Sequence, residues 1–72
     1  MVPKQVDYAE ILRTWKNLNE FLSTATEDQA NALLQRERDG SRRMQFLIRI
    51  YGRFQKLRSE RERDQIIKDA LQ

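Results

Sequence analysis

Residues 40–59 read GSRRMQFLIRIYGRFQKLRS, and the fold turns on whether a helix runs into this stretch from upstream or begins inside it. A glycine after a polar run is a common helix stop, and Ser41 is placed to cap a new helix. Yet the apolar spacing passes through the interruption unchanged. Positions 30, 33/34, 37, 40/41, 44, 47/48 and 51 continue one stripe, whereas a true stop usually resets the phase. The sequence therefore favours one long helix over 26–64, bent at Gly40, whose small residues would let another helix approach closely. The alternative is a break there, giving three separate helices.

Upstream, Asp7 with Glu10 makes a helix-start signal of the D-x-x-E kind. After it Tyr8, Ile11, Leu12, Trp15, Leu18 and Leu22 recur at helical steps, with Arg13, Lys16, Asn17 and Glu20 on the other side. This predicts an amphipathic helix over 7–23, with Pro3 in a short lead before it. STATEDQ, residues 23–29, then offers two overlapping caps, Thr24 with Glu27 and Thr26 with Gln29. The connection is short, so the first helix should pack antiparallel against the longer element. Downstream, RSERERDQ at 58–65 is polar all round, and Ile66, Ile67, Ala70 and Leu71 form a short apolar tail over 66–71. The reading is a single small all-α domain over 1–72, a helical hairpin of two to three helices.

The chain has 72 residues, with no cysteine and no histidine. A core drawn from so short a chain is thin, and neither disulfides nor a zinc site can reinforce it, which leaves association as the remaining aid to stability. Within residues 44–57, Met44, Phe46, Leu47, Ile48, Ile50, Tyr51, Phe54 and Leu57 span about 200° of a helix, twice the arc that one neighbour covers. The sequence therefore predicts a homodimer, with Phe46, Ile50, Tyr51, Phe54 and Leu57 as the surface that meets a second copy or another protein. Trp15 and Tyr51 are read as core aromatics. Arg58, inside the apolar arc, is read as a stem covering core or as an interface ion pair. Gly52, in mid-helix, is either tolerated or makes room for a partner's backbone.

Charge is unevenly spread. Residues 40–59 carry Arg42, Arg43, Arg49, Arg53, Lys56 and Arg58 and no acid, while the overall charge is only +3. Arg42, Arg49, Arg53 and Lys56 line up as a basic stripe beside the apolar arc. Such a stripe suits phosphate contact or an acidic protein surface, and equally a solvated helix face. A helix-turn-helix with its turn at residues 39–41 fits poorly, because the following helix is rich in Phe, Leu and Ile. There is no Gly-rich phosphate loop and no nucleophile with a base, so no catalytic, cofactor or metal site and no small-molecule substrate is expected. No apolar run reaches a membrane span, and MVPKQVDYAE lacks the pattern of a signal peptide, which predicts a soluble, cytoplasmic protein with no membrane partner.

The run ATEDQANALLQRERDGSRRMQFLIRIYGRFQKLRSERER, residues 25–63, with its leucine pair, its RERDG segment and FLIRIYGRF, resembles short helical proteins of tailed bacteriophages. The resemblance implies a non-enzymatic protein that binds and inhibits or redirects a host protein in a bacterial cell. A small basic nucleic-acid-binding protein or transcriptional regulator is the alternative.

Overall fold

The computed structural model describes residues 6–71, so the expectation for Pro3 falls outside it. The described chain is all-α, in four helices: α1 (Tyr8–Ile11), α2 (Trp15–Leu22), α3 (Glu27–Asp39) and α4 (Met44–Ala70). Asp7 caps α1 as its spacing predicts, its carboxylate accepting from the Glu10 backbone N–H at 3.2 Å. The single helix expected over 7–23 is divided. Thr14 adopts an extended conformation and its hydroxyl accepts from Asn17 N–H at 3.0 Å, so a second helix starts at Trp15. Of the two overlapping caps in STATEDQ, the second forms: Thr26 Oγ1 accepts from Gln29 N–H and Gln29 Oε1 accepts from Thr26 N–H.

The long helix over 26–64 does not form; the chain breaks between Asp39 and Met44. The left-handed residue of this turn is Arg42, with φ 53°, while Gly40 has φ −109°. Arg42 backbone N–H donates to Glu37 O at 2.9 Å and its side-chain Nε donates to Arg38 O at 2.8 Å, closing the end of α3. Arg43 then opens α4, and its own N–H is held by the Glu37 carboxylate at 2.8 Å. The same carboxylate accepts from Arg43 Nε at 3.0 Å and from a terminal guanidinium nitrogen at 2.7 Å. Glu37 is only 2% exposed and Arg43 37%. A third bond from the guanidinium, at 2.8 Å to Leu12 O, ties the turn to the end of α1.

Pairings along the helices fix their directions. Glu27 meets Arg61 and Glu37 meets Arg43, so α3 and α4 run antiparallel. Trp15 meets Phe46, Asn19 meets Arg49 and Ser23 meets Arg53, so α2 and α4 run in the same sense. The antiparallel placement expected for the first helix on the long element therefore holds for α2 against α3 and fails against α4, because the reversal at residues 40–43 turns α4 back alongside α2. The core between them contains Leu12, Leu18, Leu22, Ala25, Leu33, Leu34, Phe46 and Ile50. Tyr8 and Phe21 extend it, edge to face at 6.4 Å. Two helices thus share the wide apolar arc of α4, which the sequence reading assigned to one helix and a second copy.

The hydrogen bonds from Arg43 hold the Glu37 carboxyl below its ordinary pKa of 4.5, although burial opposes them. A carboxyl with a lowered folded-state pKa contributes stability above its unfolded value and loses it as pH falls through the lowered one. Thermal unfolding followed by circular dichroism should therefore show Glu37→Gln with a flatter decline below about pH 4.5 than the wild type. Near neutral pH, Glu37→Ala should destabilise by about 2–3 kcal/mol, below the usual range for breaking a buried pair because Arg43 is partly solvated. At the left-handed position, Arg42→Val should lower stability by about 1 kcal/mol or more, whereas Arg42→Gly should not.

Candidate interaction face

The residues singled out on α4 divide into three groups. Phe46 and Ile50, expected at a dimer or partner surface, are buried within the single chain. Phe46 takes the edge of Trp15 at 5.4 Å on one side and the Arg43 guanidinium at 3.5 Å from its ring centroid on another. Phe54 and Leu57 are half-buried. Tyr51, expected in the core together with Trp15, is 49% exposed, and Trp15 is 46% exposed. Trp15 surfaces because the break at Thr14 makes it the first residue of α2, at the rim of the core instead of its centre.

The basic stripe does not stand free as one row. Arg49 is half-buried, its Nε donating to Asn19 Oδ1 at 2.6 Å. Arg53 reaches Ser23 O, the C-cap carbonyl of α2, at 3.5 Å, where a cation also suits the negative end of the helix dipole. Its Nε is buried and makes no hydrogen bond. Arg42 folds back onto Arg38 O. Lys56 alone of the four is exposed with no hydrogen bond or ion pair found for it among the described residues. Arg58 is exposed and pairs with Glu62 one turn on at 2.9 Å, so it neither covers core nor serves an interface within the chain.

On the opposite edge of α4 from α2 lies an apolar surface. Met44 is 69% and Ile48 64% exposed, and with Tyr51 they follow one another at helical spacing. Across the helix pair, Leu34, Arg38, Leu47, Ile48 and Tyr51 line a groove of about 380 Å³. A second hollow of about 470 Å³, lined by Gln35, Arg38, Asp39, Arg42 and Leu47, adjoins it and shares Arg38 and Leu47. The result is a trough with an apolar floor and a polar rim in which Arg38 and Arg42 outnumber Asp39. Comparison with protein-family models, curated proteins and solved structures finds no match. Among the described residues no helix is long and apolar enough to cross a membrane, and no cluster of carboxylates fit to hold a metal occurs.

Residues beyond those singled out matter here. Leu34 and Ile48 were visible as apolar positions, but that Leu34 is buried and Ile48 exposed depends on where α3 ends. Glu37 fell on the apolar stripe, and a carboxylate in a core register was the available signal for the pair it makes with Arg43.

Since Arg49 and Arg53 fasten α2, Arg49→Ala plus Arg53→Ala should cost about 1–2 kcal/mol in urea denaturation. The stripe that the sequence places beside the apolar arc thus includes two residues that engage a neighbouring helix. Arg49 should account for most of the loss, because the Arg53 bond is long and its buried Nε is unpaired. Lys56→Ala should leave stability within about 0.5 kcal/mol of wild type.

Proposed function

We propose that this chain is a non-enzymatic protein-interaction module that acts by placing the outward face of α4, with the α3–α4 trough beside it, on another protein surface. The observation that carries the reading is the run of exposed Met44, Ile48 and Tyr51 beside an apolar groove, on a domain whose core is already closed by α2 and α3. Solvent-facing apolar patches rimmed by polar groups mark such contacts. The Arg38 and Arg42 rim supplies orientation and favours acidic partner groups. Binding and inhibition of a host protein, as the bacteriophage resemblance implies, is this mode of action applied to a bacterial target. The nucleic-acid alternative has less support, because Arg49 and Arg53 engage α2 and a continuous phosphate-facing row is lacking.

Affinity capture from bacterial lysate, with and without nuclease, tests the reading. One stoichiometric protein should persist after nuclease and at 200 mM salt as expected for apolar anchors, and should be lost with Ile48→Glu plus Tyr51→Ala in a folded variant. Capture of nucleic acid alone, with log K falling against log salt at about −0.9 per phosphate contact, would overturn it.

A further inference from the structure

The two hollows of the α3–α4 trough differ in chemistry and share a wall. The smaller is lined by Leu34, Leu47, Ile48 and Tyr51, with Arg38 as its charged member. Its volume of about 380 Å³ lies in the lower part of the roughly 300–1,000 Å³ range of ligand pockets and suits individual apolar side chains. The larger meets it at Arg38 and Leu47 and adds Gln35, Asp39 and Arg42. Among the described residues, the side chains of Arg38 and Asp39 make no hydrogen bond or ion pair, and Arg42 uses only its Nε, which donates to Arg38 O at 2.8 Å.

Arg42 gives this site its chemistry. It occupies the left-handed backbone position of the turn, with φ 53°, where an L side chain is disfavoured by about 1 kcal/mol and glycine is not. The bond from Nε to the end of α3 fixes the guanidinium plane and leaves both terminal nitrogens without a partner among the described residues. A guanidinium held in this way has already given up much of its rotamer freedom. An incoming carboxylate therefore gains charge-assisted bonds at reduced entropic cost. Arg38, in the last turn of α3 and on the wall common to both hollows, sets a second guanidinium at the boundary between the charged hollow and the apolar one.

We infer that the trough takes an acidic peptide segment of a partner protein, which seats a bulky apolar side chain on Leu34, Leu47, Ile48 and Tyr51 and sets a neighbouring Asp or Glu carboxylate against Arg38 and Arg42. The inference rests on the protein-binding reading of the outward α4 face and names the chemistry of the partner. Charge selects the occupant. Two guanidinium groups without acceptors attract a carboxylate, and the apolar anchor beside it excludes water and so strengthens the pairing. Because the hollows adjoin, anchor and carboxylate must be neighbours in the partner, or within about one helical turn of each other. A basic segment would set like charge against the two arginines. A phosphate backbone laid across the rim would bring its charges past the Asp39 carboxylate and leave the apolar hollow empty.

Selection from a random-sequence peptide library on the immobilised full chain tests the inference. Enriched peptides should carry Asp or Glu within about four residues of a large apolar side chain. For the most enriched peptide, labelled with fluorescein and followed by anisotropy, Arg38→Ala and Arg42→Gly should each weaken binding about fivefold, and Asp39→Asn should tighten it about twofold. Glycine keeps the left-handed backbone, so the loss in Arg42→Gly reads the guanidinium and not the fold. The same peptide with its acid replaced by the amide should bind more weakly and no longer distinguish wild type from Arg42→Gly. Lys56→Ala, outside the trough, should leave affinity unchanged. Enrichment of neutral or basic peptides, of no peptide above an unrelated bait, or of acidic peptides indifferent to both arginine variants overturns the inference. If the neutral peptides lose binding with Ile48→Glu plus Tyr51→Ala, the protein-binding reading survives without its acidic partner. If a fluorescein-labelled random-sequence duplex DNA binds more tightly than any peptide and loses that binding with Arg42→Gly, the arginines meet phosphate and both readings fall.

Discussion

The contact between Glu37 and Arg43 governs where this chain turns, and the rest of the fold follows from the turn. A straight helix through Gly40 would place the two residues six positions apart, about 240° around the axis, with no means of meeting. Glu37 lies on the apolar stripe, so such a helix would put its carboxylate against the core unpaired, at a penalty of several kcal/mol. Breaking the helix forfeits a few backbone hydrogen bonds, worth about 1 kcal/mol each net, but brings Arg43 round to the carboxylate. Glu37 then receives two side-chain bonds and one backbone bond, and its negative charge sits at the start of α4, where the helix dipole favours it. A paired buried charge adds little stability over an apolar pair of the same shape. Its effect is on geometry: the broken chain satisfies this carboxylate and the straight one does not.

The turn also decides what the arginines do. With α4 reversed, its basic residues are carried past the ends of the other helices, where backbone carbonyls lack partners. Arg43 bonds Leu12 O after α1, and Arg53 reaches Ser23 O after α2. Arg49 takes Asn19 Oδ1 between them. A run of cations without acids suggests a polyanion when read along the chain. In three dimensions much of it faces the electronegative ends of neighbouring helices, so the charge complement is largely intramolecular. The outward face of α4 keeps the apolar residues that this arrangement leaves over.

Local signals were legible in the sequence where one side chain meets one backbone group. Asp7 with Glu10 and Thr26 with Gln29 form as their spacing indicates. The ambiguity at Gly40 was real in the sequence, because the apolar phase is the same for a bent helix and for a hairpin; only the partner of Glu37 separates them, and that partner is a tertiary matter. Thr14 was overlooked because its third neighbour is Asn17 and not a glutamate or glutamine, and the apolar stripe runs across it. The misplacement of Trp15 follows from that omission. Phe46 and Ile50 were recognised as strongly apolar, but whether a helix of the same chain or of another covers them depends on the number of neighbours, which the break increases from one to two. The exposure of Ile48 and Tyr51 has the same origin, since it depends on which side α3 takes.

The end of α4 poses a separate energetic question. Past Arg61 the helix has no tertiary support, and segments shorter than about 12–15 residues are marginal in water when isolated. The Arg58–Glu62 ion pair and the Gln65–Asp69 hydrogen bond support it locally, but one-turn pairs contribute only about 0.2–0.5 kcal/mol each. Against this, Ile66, Ile67 and Leu71 expose apolar area whose burial is worth roughly 25 cal/mol per Å². Covering three such side chains yields several times what the local pairs supply. Order at the end of α4 is therefore coupled to whatever covers it, and any partner that buries this patch must also stabilise the last turns of the helix.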